Sequence, residues 1–495
     1  MTGPRAKLSW SDLAGARVGI WGLGREGHAN LRKLLALGVE PVLVDDHPAG
    51  SALPIPGGRP VLTTGDGGLA ALECCDVVVK TPGLSRYRPE VVRLSAMGIP
   101  VVGGLGLWLA EADLRRVLCV TGTKGKSTTS SLTGHLLTGL GYRCLVGGNI
   151  GAVPYDPDNA GDFVDWVVEV SSYQATDLPV SPPVVAVASL HPDHLDWHGG
   201  VEQYYRDKLS ACSQPGAELT VANGDSVLLR ERAALLGPRV EWVGEHDDPA
   251  ADWMEPLGLP GRHNRRNALI ARRCLTALGV PGAADAAALR AAAAGYQPLP
   301  SRLTPVGTVG GVTFVDDSLS TNVLPTLAAL DAFPGRRIAL IAGGHDRGID
   351  YAPLAAAVVA RDAPTFVLTL PDSGPRIRAQ LEAAAGPPAP AAPALATPAP
   401  APNAPANGHE TGNSGRSNAM KPGFQSVEEA APAPGTGAFA GVTDCADLKA
   451  AVKAGFDWAK PDGLVLLSPA APSFGVFRDY RDRGEAFARE VRALP

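Results

Sequence analysis

Val117-Leu118-Cys119-Val120-Thr121-Gly122-Thr123-Lys124-Gly125-Lys126-Ser127-Thr128-Thr129 is the stretch that decides how this chain is read. An apolar strand empties into a glycine-rich turn, and lysine and hydroxyl residues then open a helix. Gly122 and Gly125 allow the backbone to curl so that amide N–H groups point inward, with Thr123 and Lys124 between them. Lys126 offers a cation to terminal phosphates, and Ser127 or Thr128 can reach a magnesium ion. A packing turn would explain the glycines but not the Lys-Ser-Thr-Thr helix start, so the stretch reads as a nucleotide phosphate cradle. It is two residues shorter than the usual GxxxxGK[ST] loop, since only Thr123 and Lys124 separate Gly122 from Gly125.

The chain has 495 residues, well above the roughly 100–200 of a single domain, which suggests three domains. A formal net charge of −6 argues against a general nucleic-acid binder or a basic membrane-surface protein, so anionic ligands must be held by local clusters. Cysteines 74, 75, 119, 144, 212, 274 and 445 form no CxxC and no paired framework, consistent with a reducing cytosol. No run of about 18 apolar residues occurs and no signal-like segment opens the chain, so a cytoplasmic protein without membrane insertion is expected, as a monomer.

Upstream, Val18-Gly19-Ile20-Trp21 is followed by Gly22-Leu23-Gly24-Arg25-Glu26-Gly27, an apolar-periodic helix through Leu37, and a strand Val42-Leu43-Val44 ending in Asp45-Asp46. This is a Rossmann-like βαβ unit with an acidic residue about 20 positions after its glycines. Val77-Val78-Val79 and Thr81-Pro82-Gly83 repeat the pattern of strand then loop. After the cradle, strands are expected at Trp166–Val170 and Val184–Leu190, then helices from His263 to Leu278 and up to Gly295. Pro298, Pro300 and Pro305 mark a linker. Strands at Val312–Val315, Ile338–Ala342, Thr365–Leu370 and Leu464–Leu467 make a third α/β unit. The fold class is therefore α/β in three domains: a Rossmann-like domain over 1–112, a central P-loop ATPase-like parallel sheet over 113–297, and a Rossmann-like α/β domain over 298–495. Between about 386 and 440 the composition collapses into Pro, Ala, Gly, Asn and Ser, which reads as a disordered surface insertion.

Glu169 closes an apolar strand on the same rim as the cradle and can ligate Mg²⁺, neutralising triphosphate charge. Ser189-Leu190-His191-Pro192-Asp193-His194-Leu195-Asp196-Trp197-His198 carries enough imidazole and carboxylate to raise a zinc site, but nothing completes a tetrahedral set. His191 and His198 are expected on the surface or in turns. Lys208, on its own, is an ordinary lysine of an amphipathic helix.

The cradle resembles the TGTxGKST loop of the Mur ligase family, with Lys124 where asparagine is usual, and further motifs follow in order. Gly147-Gly148-Asn149-Ile150-Gly151 matches GGNIG, Asp193-His194-Leu195-Asp196 matches DH[LM]D, and Gly261-Arg262-His263-Asn264-Arg265-Arg266-Asn267-Ala268 is similar to GxHNxxNA. Pro300-Ser301-Arg302 resembles PHR with Ser301 for histidine, and Asp316-Asp317-Ser318-Leu319-Ser320-Thr321-Asn322 resembles NDSKATN with Leu319 for lysine. Gly343-Gly344-His345-Asp346-Arg347-Gly348 resembles GGxDKG. Leu467-Ser468-Pro469-Ala470-Ala471-Pro472-Ser473-Phe474, with Phe477, Tyr480 and Arg483-Gly484, resembles the segment LSPACASxDxFxxFxxRG.

The resemblance implies an ATP-dependent ligase of peptidoglycan precursor synthesis, closest to the members that add glutamate to UDP-N-acetylmuramoyl-L-alanine through an acyl phosphate. It implies ATP contacts at Gly122, Thr123, Lys124, Gly125, Lys126, Ser127, Thr128, Asn264, Asn267, Arg302 and Asp317, although Asn264 also suits a helix cap. It places the UDP-substrate at Gly24, Arg25, Glu26, Asp45, Thr81, Pro82, Gly83 and Asn149, and glutamate at Thr321, Arg347, Ser473 and Tyr480. Lys126, Glu169, His194 and Lys208 become the catalytic group. Mg²⁺, with Mn²⁺ as a substitute, would be held by Ser127, Glu169, His194 and a Lys208 carbamylated by CO₂. D-Glutamate is the leading expectation, while Leu319 keeps L-glutamate open. A folylpolyglutamate-synthetase-like ligase should lack the amino-terminal GLGxxG unit, and a non-catalytic muramoyl-nucleotide sensor should have lost phosphate or metal groups.

Overall fold

The computed structural model describes residues 5–47, 55–159, 161–248, 252–386 and 439–495. The expected Pro/Ala-rich insertion lies almost wholly outside them, and its last positions, 439–440, open a strand. Three mixed α/β sheets carry the chain. The first holds β1 (Val18–Trp21), β2 (Val42–Val44), β3 (Val77–Lys80) and β4 (Val101–Gly103) in the order β2-β1-β3-β4, all parallel. The second holds β5 (Val117–Thr121), β6 (Cys144–Gly148), β7 (Asp165–Glu169), β8 (Val184–Val187), β9 (Leu219–Asn223) and β10 (Val240–Val243) in the order β10-β9-β8-β5-β7-β6, again parallel. The third holds β11 (Thr304–Val309), β12 (Val312–Asp316), β13 (Ile338–Ala342), β14 (Thr365–Thr369), β15 (Phe439–Asp444) and β16 (Leu464–Leu467) in the order β11-β12-β16-β13-β14-β15. Strands buried on both faces need continuous apolar runs rather than alternation, which is how β3, β5, β8 and β16 read.

The chain forms two compact units. One comprises residues up to Pro305 with Asp316–Leu319 and Leu324–Pro334, and the other Val306–Val315, Ser320–Val323 and the chain from Gly335 onward. In the first unit, β5 lies between β7 and β8, so the connections leaving its neighbours diverge to opposite sides of the sheet. Such a divergence opens a crevice at the carboxyl ends of the strands, where α/β proteins bind ligands. The helix Lys126–Gly139 is anchored there, with Leu132, Leu136 and Leu137 in one core with Leu118, Val120, Val167 and Ala186.

Two expectations change. The strand expected over Val184–Leu190 stops at Val187, because Ala188 to His191 instead bond to the glycine-rich loop: Thr123 N donates to Ser189 O at 2.9 Å and His191 N to Thr123 Oγ1 at 2.9 Å. Pro305, expected in a linker, lies in β11, an edge strand where proline's missing N–H is tolerated.

The first glycine motif is a packing device. A Cβ on Gly27 would stand 2.1 Å from Gly22 O, whereas one on Gly24 meets nothing within 4 Å. Gly27→Ala is therefore expected to destabilise the chain by about 2–4 kcal/mol, and Gly24→Ala to stay within about 0.5 kcal/mol, in urea unfolding. Equal stabilities for the two variants would contradict this packing account.

Candidate active site

The glycine-rich loop has the geometry its sequence requires. Gly122 and Gly125 have φ of +134° and +84°, left-handed values that glycine adopts freely. A Cβ on Gly122 would lie 2.8 Å from Ser189 N, so the loop sits directly on the chain leaving β8. Thr123 Oγ1 donates to His191 O at 3.0 Å and lies 2.9 Å from the Tyr204 hydroxyl. Lys124 N donates to Ser189 Oγ, which donates back to Lys124 O, and Lys124 Nζ pairs with Asp193 at 3.6 Å. These bonds fix the loop from below and leave Gly125, Lys126, Ser127 and Thr128 half-exposed at the helix start.

Three strand ends meet around a cavity of about 110 Å³ lined by Thr123, Lys126, Asn149, Ser172, His194 and Lys208 with their neighbours. Glu169, at the end of β7, is 1% exposed; its Oε1 accepts from Asn149 Nδ2 at 2.7 Å, while its Oε2 is buried with no hydrogen-bond partner. Lys208 is not a surface lysine: it is 2% exposed, and its Nζ donates to Gly122 O at 3.0 Å. Burial, reinforced by Lys126, holds its pKa well below the ordinary lysine value. Burial also lowers Lys126, against the opposing pull of Glu169. His194 sits in the left-handed region at φ +51° and packs on the Tyr173 ring at 5.1 Å. Partial burial lowers its pKa despite Asp193, which favours a neutral ring.

This donor set suits a magnesium-bound polyphosphate. Two ammonium groups face the cavity, and a buried carboxylate oxygen lacks the donor or cation that such a group requires. Among the described residues, no three His, Cys, Asp or Glu side chains gather into a preformed metal cluster, so phosphate oxygens and a hydroxyl would complete the shell.

Asn264 and Asn267 open the helix Arg262–Ala277, yet its N-cap is Gly261 and Asn264 Nδ2 donates to Pro260 O at 2.8 Å, so Asn264 does not cap. Asn267 packs against the loop: a Cβ on Gly125 would be 2.9 Å from its Oδ1. Ser301, replacing the family's histidine, donates to Asp316 Oδ2 at 2.9 Å, and Leu303 N donates to Asp317 Oδ1 at 3.2 Å. Arg302 is thereby held beside this acidic pair, and its charge contributes to lowering Lys126.

The residues assigned to the UDP end divide. Arg25 donates to the carbonyls of Gly148, Asn149 and Gly151, and Glu26 accepts from Gln174 Nε2 at 2.8 Å, so both brace the Gly147–Gly151 turn and the segment after β7. Asp45 accepts from Leu23 N and His47 N, Thr81 packs under Gly22, and Gly83 O accepts from Trp197 Nε1. Gly24 and Pro82 stay at the loop ends. In the second unit, Arg347 lies over Phe474 at 5.3 Å, Ser473 is buried, Tyr480 opens the helix Tyr480–Arg492, and Thr321 is half-buried.

His198, expected on the surface or in a turn, is 2% exposed and hydrogen-bonded to Asp207 and Ser172. Nothing in the local sequence reveals this, because the partners come from separate helices. Ser172 and Tyr204, also lining the cavity, carried no assigned role.

The chain matches the profile of the Mur ligase middle domain over residues 120–257. It is 39% identical to a UDP-N-acetylmuramoyl-L-alanine–L-glutamate ligase from a Micromonospora strain, covering 97% of this chain and 98% of the relative. Proteins of the same name from Salinispora tropica and Xanthomonas axonopodis pv. citri are 37% and 35% identical, each over 97% of this chain. Among solved structures, a pseudomurein peptide ligase type C from Methanothermus fervidus aligns with a TM-score of 0.52 at 12% identity, over 97% of this chain and 100% of that one. The UDP-N-acetylmuramate-alanine ligase MurC from Thermotoga maritima aligns with a TM-score of 0.51 at 16% identity, over 97% and 99%. Together with these relatives, the lysine-bearing phosphate cradle on its parallel α/β scaffold marks an ATP-dependent amide-forming ligase. The chain belongs to the Mur ligase family.

Burial raises the Glu26 pKa to about 7 from 4.5, outweighing Arg25. The folded state then binds more protons than the unfolded state between these values, so stability falls as pH rises from 4.5 to 7. Glu26→Gln is expected to flatten that slope in urea unfolding at pH 5 and pH 8. An unchanged slope would remove Glu26 as its source.

Proposed function

We propose that the chain joins L-glutamate to UDP-N-acetylmuramoyl-L-alanine at the expense of ATP. The observation that carries this reading is the cavity at the cradle lined by Lys126, Lys208 and Asn149, the last of which bonds Glu169, a buried carboxylate whose Oε2 has no partner. The shared name of the full-length relatives supplies the substrates. The terminal carboxylate of the acceptor takes the γ-phosphoryl group, because a carboxylate oxygen is a poor leaving group until phosphorylated. The glutamate amine then attacks the acyl carbon, the C–O bond to phosphate breaks, and amide, ADP and phosphate result.

Each residue contributes through charge or position. Lys126 neutralises charge on the phosphoryl oxygens in flight, and Gly122 to Thr128 cradle the phosphates with Asn264, Asn267, Arg302 and Asp317 around the nucleotide. Asn149, braced by Arg25 and tied to Glu169, orients the acceptor carboxylate. Mg²⁺, for which Mn²⁺ can substitute, supplies Lewis-acid stabilisation of phosphate charge. Ser127, Glu169 and His194 would hold it, with Lys208 as a carbamate. A neutral amine is what attacks CO₂, losing a proton to give the carbamate, and the depressed Lys208 pKa favours that form. The UDP end belongs to residues 1–112, with Asp45 near the base, the ATP site to 113–297, and glutamate to Thr321, Arg347, Ser473 and Tyr480 in 298–495.

L-Glutamate is placed ahead of D-glutamate for two reasons. The relatives carry L-glutamate in their name, and Leu319 has no charge to pair with a carboxylate where the D-glutamate pattern has lysine. A sensor role is disfavoured because Lys126, Glu169, His194 and Lys208 are all retained.

Phosphate release from ATP, Mg²⁺ and UDP-N-acetylmuramoyl-L-alanine is expected to be at least about 100-fold faster with L- than with D-glutamate, a difference of about 2.7 kcal/mol. The rate should fall in CO₂-stripped buffer and recover with bicarbonate. Faster turnover with D-glutamate would reverse the stereochemical assignment, and indifference to bicarbonate would remove the carbamate.

A further inference from the structure

Ser172 lines the cavity, is 2% exposed, and has its hydroxyl fixed from behind. Its Oγ lies 3.0 Å from His198 Nε2, and His198 Nδ1 lies 2.7 Å from Asp207 Oδ2. The imidazole is enclosed by aromatic rings, with centroids of Trp197 at 4.5 Å, Tyr204 at 5.2 Å and Tyr173 at 5.6 Å. Asp207 is itself buried among donors. The Tyr87 hydroxyl donates to it at 2.7 Å, and Gln203 Nε2 donates to it at 2.8 Å and to the Tyr87 oxygen at 2.9 Å.

The direction of these bonds follows from what each group can do. A carboxylate surrounded by donors only accepts, so Nδ1 of His198 carries a hydrogen. In the neutral ring Nε2 is then bare, and the hydrogen it can accept is that of the Ser172 hydroxyl. Ser172 consequently turns lone pairs, not its hydrogen, toward the cavity. An acceptor gives nothing to a phosphate oxygen, but it suits an N–H donor. A histidine serving only to fill the core would not need to end its network on a side chain that lines the cavity.

Resting on the ligase reading above, we propose that Ser172 accepts a hydrogen bond from the attacking amine of the incoming amino acid. His198 and Asp207 are positioning residues that hold Ser172 as an acceptor. The hydrogen bond makes and breaks no covalent bond; it keeps the nitrogen lone pair aimed at the acyl carbon, where misdirection costs rate.

The two half-reactions separate this role from a structural one. Acyl phosphate formed without glutamate is quenched and trapped by borohydride reduction, and amide formation is followed with glutamate present. Ser172→Ala is expected to lower amide formation roughly 10- to 100-fold while leaving acyl phosphate yield within about twofold, and Ser172→Thr, which keeps the hydroxyl, should recover most of the loss. Asp207→Asn lets the amide donate to Nδ1, moves the ring hydrogen to Nε2 and reverses the bond to Ser172. It should reproduce the Ser172→Ala profile, with little further loss in the double variant. Equal falls in both half-reactions, additive losses in the double variant, or unchanged amide formation in Ser172→Ala would overturn the proposal. A wild-type chain that makes acyl phosphate but no amide with either glutamate enantiomer would overturn the ligase reading as well.

Discussion

Two lysine side chains lining one cavity at the cradle are the constraint on which the rest of this molecule depends. Removing a charge from water is costly unless a partner compensates, and groups left uncompensated shift toward their neutral form. Lys126 and Lys208 both show that shift, only partly opposed by Glu169 and by Asp193, which also pairs with Lys124. On the proposed reading an anion entering the cavity is met by Lys126, while Lys208, as a carbamate, would hold the metal that accompanies it.

The scaffold explains how that charge is assembled from distant sequence. Parallel pairing aligns the ends of β5, β7 and β8, with Val120 opposite Glu169 and Thr121 opposite Val187. The loop after β5, the carboxylate closing β7 and the chain leaving β8 thus meet on one rim. Gly122 lets the loop lie directly on the chain leaving β8, where a side chain would collide with the backbone of Ser189 and Ala188. Arg25 binds three carbonyls of the Gly147–Gly151 turn, which in turn positions Asn149 against Glu169. The first glycine motif serves the chemistry through this brace as much as through any ligand contact.

Much of this was legible in the sequence because it is local. The cradle, the strand-end Glu169 and the apolar strands of all three sheets are written in consecutive residues, and the ordered motifs led to the family. Boundaries were less legible where loop bonding competes with strand pairing, as at Ala188 to His191, or where an edge strand accommodates Pro305. Side-chain networks were hidden altogether. His198 reads as one more polar residue in a histidine-rich turn, yet Asp207 stands nine positions on and Tyr87 comes from the first sheet's side of the unit. Arg25 and Glu26 look like ligand contacts beside a glycine motif, but their partners are backbone and Gln174. Ser301 and Leu319 mark the opposite case: departures from the family pattern that the sequence exposes, the first absorbed by Asp316.

The central claim is that the cradle, with Lys126 and the buried Lys208 lining its cavity, holds a metal-bound triphosphate against Glu169. A crystal grown with a non-hydrolysable ATP analogue and Mn²⁺, with the metal located by its anomalous signal, tests it most directly. The account requires the γ-phosphate within hydrogen-bond reach of Lys126 Nζ and the manganese within coordination distance of the Glu169 oxygen that has no partner. A nucleotide bound away from the loop at Gly122–Thr128, or a metal peak remote from Glu169, would contradict it.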